Sequence, residues 1–296
     1  MSALELASAR VNAQTRIIDG MSWNRLTPEP SKLRVAVIGG SLGDSLLPDV
    51  LLAGLRQTHP APEVVPLGIE AEEFEPCVRH LESIGFRGAA VAHPYKVAAA
   101  RMAQRFFLVK HSMGVANALI FESGVWGQNN EVPAIQGLIG HLEPATALVM
   151  GAGSGARSVG VALLDAGWKV RLWNRNGMRS RLLQTTIKAF GEIDLAPYAN
   201  PTGCQLIVNA TSLGRKAGEK PPMDWTYVRR GTTVMDIVYR RVPTELLREG
   251  ALRGLPVIDG RQIVVEKAAL TVQWWTGQSV DRAPMVAAAG LRQAAL

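Results

Sequence analysis

Ala145-Thr-Ala-Leu-Val-Met150, running directly into Gly151-Ala-Gly-Ser-Gly-Ala-Arg-Ser158, decides how this chain is read. The first six residues form an apolar run of the length of a buried strand. The next eight are a glycine-rich turn, followed by a helix predicted over Val159–Ala166 and ended by Gly167. Strand, glycine turn and helix in this order make a phosphate-binding layout. Gly151 permits the tight turn and Gly153 lets the backbone approach a pyrophosphate. Ala156, at the sixth position, lets the helix sit close to the sheet. The helix start adds free N–H groups and the positive end of its dipole. Gly151, Gly153, Ser154, Gly155 and Ala156 are therefore candidate cofactor-binding residues.

The strand that follows, KVRLWN (169–174), bears on which dinucleotide is bound. An NAD site usually carries Asp or Glu at its end, holding the ribose 2′-hydroxyl. Here Trp173-Asn174-Arg175-Asn176 is followed by Arg179 and Arg181, with no acid in the stretch. Guanidinium groups suit a 2′-phosphate, so the pattern favours NADP over NAD. It also weakens a methyltransferase reading. A solvated basic helix start is the plainer alternative.

Working outward, the pattern repeats on both sides. RVAVIGG (34–40), EVVPLGI (63–69) and GAAVAH (88–93) read as strands. Helices are predicted over about Pro48–Gln57, over Ala71–Ser83, and from Pro94 to about Phe107. NALIFESGVWGQN (117–129) reads as a hairpin turning at Ser123-Gly124. Residues 1–32 read as a short helix and an irregular arm. On the far side, QLIVNAT (205–211), TTVMDIVY (232–239) and PVIDG (256–260) are further strands. The last 35 residues read as helical, with Trp274 and Trp275 as packing anchors. Alternating strands and helices predict two parallel-rich α/β layers, with a break near residues 129–144.

Composition narrows the classes. The chain has 296 residues, 47% of them hydrophobic and 19% charged, enough for two cored domains and unlike a disordered chain. Net charge is +7, without a block of five like charges, which suits anionic small molecules or a generally basic surface better than nucleic acid. Cys77 and Cys204 are too few for a zinc site or a disulfide framework. His59, His80, His93, His111 and His141 lack metal-ligand spacing, so no metal is expected. No 18-residue apolar run suggests a membrane span, and the polar start lacks a signal-peptide core, so a reducing cytoplasm is the expected location.

An ordered set of motifs resembles the shikimate dehydrogenase family, including its quinate/shikimate branch, from about Val35 to Trp275. GFRGAAVAHPYK (85–96) is similar to the family's Gly-Phe-x-Gly-x-Asn-Val-Thr-x-Pro-x-Lys. GVANALI (114–120), GQNNE (127–131), WNRN (173–176), VNATSLG (208–214) and DIVYRRVPTELL (236–247) resemble the motifs that follow in order. The resemblance implies an α/β fold with an N-terminal α/β substrate-binding domain and a C-terminal NADP-binding Rossmann domain. The expected limits are residues 1–130, with 262–296 packing back on them, and 131–261. It also implies an active site in the cleft between the two domains.

The activity implied is hydride transfer between NADP(H) and a hydroxyl or ketone of a small cyclic hydroxy acid, shikimate or an analogue. Lys96 matches the family's catalytic lysine, and a lysine whose pKa is lowered can exchange the hydroxyl proton. Glu131 stands where the family pairs that lysine with Asp, one methylene longer. Ser45, Asn117 and Tyr239 match substrate-side residues. Asn174, Arg175, Arg179, Asn209, Ala210, Thr211 and Ser212 match the cofactor side. Departures are as informative. Leu47 replaces a serine, Ala90 and Ala92 replace Asn and Thr, Arg241 replaces a proline, and Lys267 replaces a glutamine. Losing ring-hydroxyl readers while gaining a cation predicts weak activity on shikimate and an acidic cyclic polyol bound partly by Lys267. The rival reading is a non-catalytic or divergent family member that binds nucleotide or metabolite. No nucleic-acid or membrane partner is expected, and the chain is expected to be a monomer or homodimer.

Overall fold

The computed structural model describes residues 22–108 and 113–291. The predicted N-terminal helix and His111 lie outside the described residues. The chain divides into two compact units. One comprises the described residues up to Gln128 together with Ala268–Ala289, and the other is Asn129–Lys267 with the residues from Gly290 on.

The first unit is built on a six-stranded mixed sheet. Its strands are β1 (Arg34–Gly39), β2 (Glu63–Gly68), β3 (Gly88–Val91), β4 (Arg105–Phe106), β5 (Ala118–Phe121) and β6 (Val125–Gln128). Their spatial order is β2-β1-β3-β5-β6-β4. β1 runs parallel to both β2 and β3, while β5 is antiparallel to β3 and to β6. Every residue of β1 is buried, as a run of Val, Ala and Ile between two partners requires. Arg34, at its start, is held by Glu63 at 2.6 Å and lies over the Phe86 ring. Helices α1 (Leu47–Leu55), α2 (Phe74–Ser83) and α3 (Lys96–Met102) complete the layer.

The second unit is all parallel. β7 (Thr146–Met150), β8 (Lys169–Trp173), β9 (Ile193–Leu195), β10 (Leu206–Asn209), β11 (Thr233–Asp236) and β12 (Val257–Ile258) lie in the order β12-β11-β10-β7-β8-β9. This is the doubly wound Rossmann order, in which the chain reverses direction of growth between β7 and β10 and leaves a crevice at their carboxyl ends. Helices α4 (Glu131–Ile139), α5 (Ser154–Asp165), α6 (Gly177–Ile187) and α7 (Glu245–Leu252) belong to this unit. A long helix, α8 (Gly260–Thr276), starts in the second unit and ends in the first, where α9 (Ala283–Ala288) follows.

Several predicted boundaries move for physical reasons. The glycine turn is shorter than expected, because α5 begins at Ser154 rather than Val159. The helix after Pro94 stops at Met102, since Arg105 and Phe106 pair with Trp126 and Gly127 as a strand. The stretch predicted as one helix over 71–83 opens with a 3₁₀ turn, Ala71–Glu73, fastened by a reciprocal Glu70–Glu73 cap. β9 has only three residues and shows no periodicity to read. The hairpin turns where predicted, with Ser123 at φ 51° and Gly124 at φ 113°. Of the two tryptophans read as anchors, Trp275 is buried and donates Nε1–H to Leu119 O at 2.8 Å, whereas Trp274 is half-buried.

Candidate functional site

In the second unit the glycine turn sits at the reversal point of the sheet. Gly151 has φ +123°, a conformation that side-chain-bearing residues rarely adopt. A Cβ there would lie 2.4 Å from the Ala210 carbonyl oxygen and 3.0 Å from Thr211 N. The turn thus lies directly against the loop that leaves β10. Gly155 meets Ile237, whose Cδ1 would be 2.5 Å from a Cβ. Gly153 is exposed, with nothing within 4 Å of a Cβ, so the space in front of the turn is open. Ala156, in the first turn of α5, is fully buried, as close helix–sheet packing demands.

At the end of β8, Asn174 and Arg175 emerge toward solvent. Asn174 Nδ2 donates to Asn176 O at 2.9 Å, and Asn176 Oδ1 caps α6 by accepting from Arg179 N at 3.2 Å. The side chains of Arg175 and Arg179 are exposed. An acid-free, cationic rim beside a bare glycine turn fits the charge and approach that a 2′-phosphorylated dinucleotide needs.

Across the reversal point, Asn209, Ala210, Thr211 and Ser212 follow β10. Asn209 is buried and Ser212 exposed. Asn209 Oδ1 accepts from Thr211 N at 3.1 Å and from Thr211 Oγ1 at 2.7 Å. Tyr239, half-buried, stands three residues beyond Asp236, the last residue of β11. Asp236 is fully buried, and burial pushes its carboxyl up to about 7 against hydrogen bonds from Thr244, Val238 and Asn209.

Glu131 begins α4 and Lys267 lies on α8, both within the second unit. Lys267 Nζ stands 3.4 Å from Glu131 Oε1, with the two side chains only 12% and 10% exposed. Sequence reading names both residues but misses their pairing. Asn129 Nδ2 donates to Ser158 Oγ at 3.1 Å, joining the start of α4 to α5.

In the first unit, Lys96 is 9% exposed at the start of α3, and Ala116 N donates to its carbonyl at 2.9 Å. Asn117 is buried where the hairpin begins. Its N–H donates to Gln128 O and its carbonyl accepts from Val91 N. Ser45 is half-buried, and its Oγ accepts from Leu47 N at 3.4 Å, just ahead of α1. The carboxyl ends of β1 and β3 present small apolar groups. A Cβ on Gly39 would lie 3.2 Å from that of Ala92 and 2.8 Å from Leu42 Cδ2. Among the described residues no group of three or more His, Cys, Asp or Glu could hold a metal ion, and no helix is long and apolar enough to cross a membrane.

Strand order, glycine turn and cationic rim define a Rossmann-type dinucleotide-binding protein with a second α/β unit. No family model matches the chain. It is 33% identical to the shikimate dehydrogenase (NADP(+)) of Rubrobacter xylanophilus over 276 residues, covering 88% of this chain and 96% of that protein. The crystal structure of shikimate 5-dehydrogenase from Thermus thermophilus, in complex with NADP(H) and shikimate, matches with a TM-score of 0.78. Its identity is 26%, over 89% of this chain and all of that one. A 5-ketofructose reductase from Gluconobacter shares the fold at TM-score 0.78 and 19% identity, over 87% of this chain and 98% of that one. The chain belongs to the shikimate dehydrogenase family.

Proposed function

We propose that this protein is an NADP-dependent oxidoreductase that interconverts a hydroxyl and a ketone on a small cyclic hydroxy acid carrying fewer ring hydroxyls than shikimate. The second unit would hold the cofactor. Gly151 through Ala156 supply the open turn, the start of α5 faces the pyrophosphate, and Arg175 and Arg179 meet the 2′-phosphate. When bound, NADP+ supplies a hydride acceptor and NADPH a hydride donor. The first unit, with the C-terminal helices, would bind the substrate.

Lys96 is the proton-transfer residue in this reading. It is 9% exposed at the start of α3, and a lysine there can take or give the hydroxyl proton of the substrate. Asn117 and Ser45 offer hydrogen bonds to the ring substituents, and Tyr239 is carried over by resemblance as a substrate-side residue. Glu131 stands where the resemblance pairs the catalytic lysine with an acid, and Lys267 lies 3.4 Å from it. Lys267 is the cation that would bind an acidic substituent of the substrate.

The altered substrate rests on one observation. Leu47 is buried and apolar, and Ala90 and Ala92 carry methyl groups where the resemblance expects Asn and Thr. A site without those groups gains nothing from the hydroxyls and leaves them desolvated. The test is a panel of shikimate, quinate and deoxygenated or aminated analogues, followed by nicotinamide absorbance. Turnover of shikimate at ordinary efficiency overturns the altered substrate. Lys96→Ala should lower turnover by about 10²–10⁴-fold while NADP+ binding persists. A wild-type protein that binds NADP+ but turns over no member of the panel points to the non-catalytic reading.

A further inference from the structure

Two loops leave the carboxyl edge of the Rossmann sheet side by side, one after β10 and one after β11. A single buried carboxylate ties them together. Asp236 Oδ1 accepts from Asn209 Nδ2 at 2.9 Å and from Val238 N at 2.9 Å. Its Oδ2 accepts from Thr244 Oγ1 at 2.7 Å. Asn209 carries the connection onward. Its Nδ2 also donates to Leu213 O at 2.9 Å, and its Oδ1 accepts from the Thr211 amide and hydroxyl. Thr244 in turn caps α7 by accepting from Leu247 N. Gly260 closes the other side, where a Cβ would lie 2.7 Å from Val238 O and 2.8 Å from Asp236 O.

We propose that Asp236 is a positioning residue for the nicotinamide half of the dinucleotide: through Asn209 and Thr244 its carboxylate fixes the 209–213 loop and the 237–239 segment leading to Tyr239. This rests on the NADP reading above. A doubly wound sheet consists of two mononucleotide-binding halves, and the dinucleotide spans both. The glycine turn and Arg175 belong to the half formed by β7, β8 and β9. The whole Asp236 network belongs to the half formed by β10, β11 and β12. A defect at Asp236 should therefore be felt by one end of the cofactor.

A carboxylate is a costly group at the end of an apolar strand, because burial opposes its charge. The charge of Asp259 acts in the same direction, though Asp259 is engaged by Arg261 at 2.7 Å. Glu219, on the loop after Leu213, accepts from Gly214 N instead. What an ionised Asp offers there, and an apolar residue does not, is simultaneous acceptance from three donors on three separate segments.

The test compares two ligands on wild type, Asp236→Ala and Asp236→Asn. One is NADP+. The other is adenosine 2′,5′-bisphosphate, which carries the adenine, its ribose, the 2′-phosphate and the adenosine-side phosphate but neither the second phosphate of the pyrophosphate nor the nicotinamide ribose. Affinities are measured by titration calorimetry, alongside each variant's melting temperature. The expected result is an Asp236→Ala affinity for NADP+ lower by about tenfold or more, with the bisphosphate unchanged within about twofold. Asp236→Asn, which keeps the shape and the Oδ1 acceptor, should recover most of the loss. If both ligands weaken in parallel, or neither does, Asp236 is only a structural residue and the proposal falls. Should Asp236→Ala not fold, Thr244→Val against Thr244→Ser carries the same comparison. If wild type binds neither ligand, the NADP reading itself is wrong and the proposal falls with it.

Discussion

Replacing Gly151 by alanine should damage the fold, whereas the same change at Gly153 should damage only binding. At Gly151 the new methyl would sit 2.4 Å from Ala210 O and 2.6 Å from Ala210 C. Ordinary contact needs about 3.4 Å, so the turn and the end of β10 must part by close to an ångström. The hydrogen bonds on either side of that gap, Gly151 N to Trp173 O and Ala210 N to Met150 O, are both short and have little slack. A side chain held at φ +123° costs about 1–3 kcal/mol, and a weakened backbone hydrogen bond about 1 more. The sum, roughly 2–4 kcal/mol, corresponds to a melting temperature lower by roughly 5–10 °C. At Gly153 the backbone is ordinary, with φ −93°, and nothing lies within 4 Å, so Gly153→Ala should melt within about 2 °C of wild type. It should nevertheless lose NADP+ affinity, because the methyl occupies the space the phosphates approach. Differential scanning fluorimetry and calorimetric titration on both variants decide the matter. A Gly151→Ala protein with wild-type melting and binding would refute the turn argument. Unchanged NADP+ affinity in Gly153→Ala would refute the phosphate assignment.

Arg175→Ala should weaken NADP+ by about 10–100-fold and NAD+ hardly at all, read as the ratio of the two dissociation constants. Lys267→Ala removes the ammonium 3.4 Å from the largely desolvated Glu131 carboxylate and should lower stability by about 1–3 kcal/mol, measured by chemical denaturation. Lys267→Gln, which restores the family's residue, should shift the ranking of substrates in the panel toward shikimate. Asp236 gives a pH signature. Its folded-state pKa, about 7, lies above the 3.8 of an unperturbed aspartate, so between those values the native state holds a proton that the unfolded chain has lost. Stability relative to Asp236→Asn should fall as pH rises through that window, by roughly 1.4 kcal/mol per pH unit, and level off above it. A difference that instead grows with pH would contradict the assignment.

The Rossmann half of the fold was readable because its signals are local. ATALVM, the glycines behind it and the acid-free WNRN lie within 32 consecutive residues, positions 145–176, and each reflects a backbone or charge requirement of that segment alone. The hairpin at Ser123-Gly124 was readable for the same reason. Pairings between distant positions were not. Arg105-Phe106 looks like the end of a helix until β6 offers it a partner, and the Lys267–Glu131 contact joins residues 136 positions apart. The Asp236 network is an intermediate case. A charged residue closing the apolar run Thr233–Asp236 signals that partners must exist, and Thr244-Glu245 reads as a helix cap. Nothing in the spacing says that the two meet.

Trp275 carries a consequence for how the protein is made. Its indole donates to Leu119 O across a gap that Gly88 leaves open, since a Cβ at Gly88 would lie 2.2 Å from that same oxygen. Met285 likewise fills the space beside Gly54 of α1. When the ribosome has delivered Gln128, the first sheet has all six of its strands but not these two side chains, and Trp275 is 147 residues further along (275 − 128). At about 5–20 residues per second, that interval lasts roughly 7–30 s. The first unit is therefore completed only after the dinucleotide-binding sheet has emerged.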